Sequence, residues 1–245
     1  MTWGRTYDEQ RFSPLKQIND RNVQQLGLAW YLDLNTHRGV EATPIVVDGV
    51  LYTTSAWNIT YALDAKTGEL IWENRLGPEN SNGLRAIRSI ALYDDKVYIG
   101  TSDVRLVALD AKTGRRVPTF GKNGVVDMVE NLRWNERPGL PREGRVANSS
   151  PPAIVGNVLV SSISMHTGST PNLPGASINE QWPMNIPGDV VAYDTRTGKM
   201  LWRFDTIPKK GDPARSTWSG NSADTGGGPT WMTGTYDVET DTLFW

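Results

Sequence analysis

Apolar and polar residues alternate along this chain in short runs, the signature of half-buried strands. Helical periodicity is absent except for a weak trace over 19–26. Several runs fold back on themselves at turn residues. The run Pro44–Thr53 turns at Asp48-Gly49, Ile90–Ile99 turns at Asp94-Asp95, and Pro152–Val160 turns at Gly156-Asn157. Each is followed by a second hairpin, and those second hairpins resemble one another. They are Ala62-Leu63-Asp64-Ala65-Lys66-Thr67-Gly68 running on to Trp72, Ala108-Leu109-Asp110-Ala111-Lys112-Thr113-Gly114, Ala192-Tyr193-Asp194-Thr195-Arg196-Thr197-Gly198 running on to Trp202, and a degenerate copy from Thr235 through Asp237 to Trp245. The aspartate can accept turn amides, the glycine, in the first three copies, can take positive φ, and the tryptophan, in all but the second, can lie between neighbouring sheets.

The repeat aspartates stand 46, 84 and 43 residues apart. Periods of about 40–50 residues point to propellers or solenoids. A β-helical solenoid stacks parallel rungs, which antiparallel hairpins disfavour. Two hairpins per period give four strands, and the expected fold is all-β, a β-propeller of four-stranded antiparallel blades forming a partial ring. The expected blades are 40–75, 86–118, 149–205 and an incomplete 230–245, with 27–32 as a closing strand of a last blade not in the chain. On this reading the chain is the N-terminal part of a longer protein. Three connections, 118–148, 164–187 and 206–230, exceed what a turn needs and are candidates for functional loops.

Composition narrows the chemistry. The 245 residues carry a formal net charge of −2, which argues against a nucleic-acid partner. With no cysteine, disulfides, thiolate catalysis and thiolate metal clusters are excluded, and with only His37 and His166 so is a multi-histidine metal site. No run of 18 apolar residues is present to span a membrane, and the first residues lack a signal-peptide core. Ten Trp, 24 Gly and 15 Pro fit a turn-dense β protein.

Three features together resemble the pyrroloquinoline quinone (PQQ) dependent alcohol dehydrogenases. They are the opening from Trp3-Gly4-Arg5-Thr6-Tyr7 through Arg11-Phe12-Ser13-Pro14 to Ala29-Trp30, the Asp-x-x-Thr-Gly-x-x-x-Trp repeats, and the segment from Trp218-Ser219-Gly220-Asn221-Ser222 through Gly226-Gly227-Gly228-Pro229-Thr230-Trp231 to Gly234-Thr235-Tyr236-Asp237. The resemblance covers essentially the whole chain. It implies an eight-bladed propeller of the periplasm with PQQ and Ca²⁺ near its axis. The implied reaction oxidises an alcohol or polyol to a carbonyl, with cytochrome c or a quinone taking the electrons. PQQ is a flat tricarboxylate, which wants an aromatic face and cationic or hydroxyl donors. By resemblance, Trp231 is the stacking floor, with the glycines ahead of it letting backbone approach the ligand. Arg88 stands beside the quinone oxygens, Glu41 contacts a PQQ carboxylate, and Ser149 donates a hydroxyl.

The chain also departs from the family pattern. Its segment 79–85 has no adjacent cysteines, as in sugar- and polyol-oxidising relatives. The strand at 158–163 runs into Ser164-Met165-His166 without the family's calcium-binding carboxylate, which leaves Glu180 or Asp189 to reach in from the loop. The metal ligands are thus unassigned, and the catalytic base is expected beyond Trp245. Two other readings use the same repeats: a non-catalytic envelope scaffold, and a family member that has lost its cofactor. A scaffold has no reason to keep Trp231, Arg88 and Glu41 together.

Overall fold

The computed structural model describes residues 4, 6, 10–34, 36, 37, 39–77, 87–131, 146–165, 188–225 and 228–245. Among the described residues, three four-stranded and two two-stranded antiparallel sheets are formed. The first comprises β1 (Ile45–Val47), β2 (Val50–Thr54), β3 (Ile59–Asp64) and β4 (Leu70–Arg75), and the second β5 (Ala91–Tyr93), β6 (Lys96–Gly100), β7 (Arg105–Asp110) and β8 (Val125–Asp127). A short ladder pairs β9 (Val146–Ala147) with β12 (Ser164–Met165). The third sheet comprises β10 (Ala153–Val155), β11 (Val158–Ser162), β13 (Val190–Asp194) and β14 (Met200–Phe204), and the last hairpin β15 (Thr235–Asp237) and β16 (Thr242–Phe244). These are successive blades of a partial β-propeller.

Blades bury both faces against their neighbours, so the middle strands read apolar throughout. The strands β3, β7 and β13 are buried along almost their whole length, while β14 is mostly exposed. Ile45, Tyr52, Ala62 and Trp72 pack on Leu92, Val97, Val107 and Leu109 between the first two sheets. Tyr98, Leu106, Ala108 and Phe120 pack on Ile154, Leu159, Val191 and Tyr193 between the next two.

The repeated turn supplies the outer clasp between blades. Asp64 Oδ1 accepts the amides of Lys66 at 2.9 Å and Thr67 at 2.7 Å, and Asp110 and Asp194 do the same in their own copies. Gly68 and Gly114 close those turns at φ +76° and +66°, and each is also a seat. A Cβ on Gly68 would lie 2.6 Å from the Trp30 ring, and one on Gly114 would lie 2.6 Å from the Trp72 ring. Trp30 Nε1 donates to the Ala65 carbonyl at 3.2 Å and Trp72 Nε1 to the Ala111 carbonyl at 2.9 Å. Stacking and one directed bond thus lock each ring onto the next turn.

Three features differ from the sequence expectation. The second sheet does not end at 118: its fourth strand is β8, at 125–127, after an intervening turn. That strand has no tryptophan, and Val126 and the Gly121 backbone fill the seat at Gly198 instead. Trp202 is not a core residue but is 44% exposed. The fourth copy carries Asp241, at φ +50°, in the place of the seat glycine, so the flat floor is lost. Residues 27–32, expected to close a blade not in the chain, join no ladder among the described residues, which leaves that expectation untested; Trp30 among them packs beside Tyr61 and Leu63.

Two predictions follow from the clasp. Gly49 and Gly114 share positive φ, but only Gly114 has a ring against it. Gly49→Ala should therefore cost about 1–2 kcal/mol for its backbone alone, and Gly114→Ala a further ~1–3 kcal/mol for displacing Trp72. Equal urea midpoints for the two variants would remove the seat from the account.

The second concerns acid. The turn amides and threonine hydroxyls hold the Asp64, Asp194 and Asp237 carboxyls below the ordinary aspartate value. Their stabilisation is present above the unfolded-state value and is lost as pH falls through the depressed folded-state value. Asp64→Asn combined with Asp194→Asn should therefore flatten the acid limb of the melting-temperature profile. An unchanged acid limb would contradict the turn's role.

Candidate cofactor site

The site forms where each blade begins. Glu41, Arg88, Ser149 and Trp231 each stand three or four residues ahead of the first strand of successive sheets. Backbone bonds link these segments in order. The Thr43 amide donates to the Arg88 carbonyl at 2.8 Å, and the Arg88 amide donates to the Ser149 carbonyl at 2.8 Å. Ser89 Oγ adds a bond to the Thr43 carbonyl at 2.9 Å. The repeat therefore delivers one side chain per blade to a common place.

Arg88 is the hub. Its Nη2 lies 3.1 Å from Glu41 Oε2, and its Nη1 donates to Ser149 Oγ at 2.5 Å. Its guanidinium carbon stands 4.9 Å from the centre of a Trp231 ring. That distance is within reach of a cation–π attraction. The side chains of Arg88 and Glu41 are 40% and 54% exposed, and Trp231 is 44% exposed, so the cluster opens to solvent. The structure thus brings together all four residues singled out in the sequence. Trp231 lies in the loop ahead of β15.

Sequence reading missed the residues that hold the Trp231 loop. Ser150 Oγ donates to the Trp231 carbonyl and Ser162 Oγ to the Thr230 carbonyl. The described glycine of the triple-glycine segment, Gly228, has φ +51° and its nearest neighbours are Thr206 and Ile207 of this chain. A close backbone approach at this loop is that of Gly188, where a Cβ would lie 2.3 Å from Pro229 Cα. Gly226 and Gly227 lie outside the described residues.

A flat anion fits this donor set. The Trp231 face already accepts a planar group, the guanidinium, and Ser149 and Arg88 present a hydroxyl and a cation beside it. A divalent cation finds less. Among the described residues no three His, Asp or Glu side chains converge. Asp189 is fully buried, accepts the Thr206 amide at 3.1 Å and faces Arg203 at 3.8 Å, so its charge is already engaged. Glu180, His166 and the cysteine-free segment 79–85 lie outside the described residues.

Four-stranded antiparallel blades with a polar and aromatic cluster where they begin define a partial propeller with a candidate ligand site. Residues 1–245 match the PQQ family described as the glucose/ethanol/alcohol dehydrogenase β-propeller domain, and the chain belongs to that family. It is 40% identical, over its whole length, to the quinohemoprotein alcohol dehydrogenase ADH-IIG of Pseudomonas putida, of which it covers 32%. It is 39% identical, again over its whole length, to the dehydrogenase subunit of the alcohol dehydrogenase (quinone) of Gluconacetobacter polyoxogenes, covering 32% of that protein. The solved structure of the Pseudomonas putida enzyme superposes with a TM-score of 0.77 at 38% identity, over 99% of this chain and 33% of the other. The chain thus spans about a third of the length of these relatives.

Proposed function

We propose that this chain supplies the PQQ-binding wall of an alcohol or polyol dehydrogenase. The observation that carries the reading is the convergence of Trp231, Glu41 and Ser149 on Arg88. PQQ, when bound, supplies the two-electron acceptor for the hydride that leaves the alcohol carbon. This chain's residues bind and orient. Trp231 offers the flat floor, and Arg88 and Ser149 offer donors to anionic and carbonyl oxygens. Glu41 meets an incoming carboxylate through Arg88, which lies between like charges and spares them a shared proton.

Loading requires Arg88 to give up the ring face while keeping its bond to Ser149. The base that takes the hydroxyl proton, and the acids that hold Ca²⁺, are proposed to lie outside the residues described here. No step is assigned to the metal, because the described residues offer it no ligand set. Electrons would leave to cytochrome c or a quinone, in the periplasm. The relatives' names, quinohemoprotein and alcohol dehydrogenase (quinone), support that direction.

Titrating PQQ into the full-length protein, with Ca²⁺ present, should quench tryptophan fluorescence saturably. Arg88→Ala removes a charged donor, and a charged hydrogen bond contributes about 1.5–3 kcal/mol, so affinity should fall roughly 10- to 100-fold. Trp231→Ala should weaken binding comparably. Absence of saturable quenching in the folded protein would overturn the reading and leave a propeller without cofactor.

A further inference from the structure

Trp231 is held through its backbone. Its indole is 44% exposed, so burial does not set its position, and residues 231–234 form no ladder. Hydroxyls take that role. Ser150, just ahead of the third sheet, and Ser162, at the end of β11, are 9% and 6% exposed and reach the Trp231 and Thr230 carbonyls. Two bonds run the other way. Thr230 Oγ1 donates to the Gly188 carbonyl at 2.5 Å, and Thr233 Oγ1 donates to the Pro151 carbonyl at 2.7 Å. Gly188 lets the Pro229 backbone come close enough for these bonds to form.

The Ser149-Ser150 pair joins the two halves of the site. Ser149 holds Arg88 twice, through its carbonyl and its hydroxyl, and Ser150 holds Trp231. Adjacent residues therefore set the spacing between the guanidinium and the ring. We infer that Ser150 and Ser162 are positioning residues, which hold the exposed Trp231 floor opposite Arg88 without touching the ligand. This rests on the PQQ reading above and extends it from the residues that meet the ligand to those that place them.

The test uses the full-length protein with PQQ as the probe. Loss of one neutral hydrogen bond is worth about 0.5–1.5 kcal/mol, so Ser150→Ala and Ser162→Ala should each raise the PQQ dissociation constant roughly 3- to 10-fold. Ser150→Thr keeps the hydroxyl and should restore binding. In the cofactor-free protein, Ser150→Ala should make Trp231 more accessible to acrylamide, as Arg88→Ala does, judged against Trp231→Phe. Added to Trp231→Ala, which removes the ring, Ser150→Ala should weaken binding no further, since it acts through that ring. Variants that lose melting temperature but keep both PQQ affinity and Trp231 accessibility would overturn the proposal. So would equal weakening with and without Trp231. If Ser150→Ala does not fold, Ser162→Ala decides by the same criteria. If the wild type itself fails to bind PQQ, the cofactor reading falls, and the accessibility measurement still decides whether the serines place the ring.

Discussion

The backbone bonds from Thr43 to Arg88 and from Arg88 to Ser149 tie the beginnings of three successive blades together. Everything at the site hangs from them. They spend the amide and carbonyl of Arg88 on the fold, which leaves the side chain free to reach Glu41, Ser149 and the Trp231 ring. These two bonds lie just ahead of the first strands of the first three blades, and side-chain hydroxyls bring in the fourth segment, so the side chains that precede the first strands converge. A propeller achieves with one residue per repeat what a single loop would need several turns to build.

The inner and outer ends of the blades use different physics. At the outer end, Trp30 and Trp72 lie on glycine seats and donate to turn carbonyls, so the clasp is apolar stacking with one bond. At the inner end, buried hydroxyls and amides do the joining. Thr54 Oγ1 donates to the Ile87 carbonyl at 3.0 Å, and Asn58 Oδ1 accepts the Ser102 amide at 2.8 Å. Polar joints suit a surface that must stay open to a polar ligand, while tryptophan seats suit a perimeter that only has to hold.

Much of this was legible in the sequence, for a physical reason. The Asp-x-x-Thr-Gly turn repeats because each of its residues has a local task, and a local task leaves a local mark. Glu41, Arg88, Ser149 and Trp231 could be picked out because the family pattern carries them, and the fold brings them together because they occupy equivalent places. What escaped depends on contacts between distant segments. β8 carries no tryptophan to mark it, and its role at the Gly198 seat shows only once Val126 is placed there. Trp202 has the repeat's spacing, but it is 44% exposed, and the next copy carries Asp241 where the other copies have their glycine. Ser150 and Ser162 are single hydroxyls in strand-like surroundings, and nothing local tells their grip on Trp231 and Thr230 from an ordinary buried serine.

The central claim is that this cluster receives a flat anionic quinone. The most direct measurement is a crystal structure of the full-length protein grown with PQQ. The account predicts the quinone plane stacked on the Trp231 indole, with Arg88 moved from the ring face to the ligand's edge and still bonded to Ser149. Density for PQQ elsewhere, or an Arg88–Trp231 contact unchanged at full occupancy of the ligand, would contradict it.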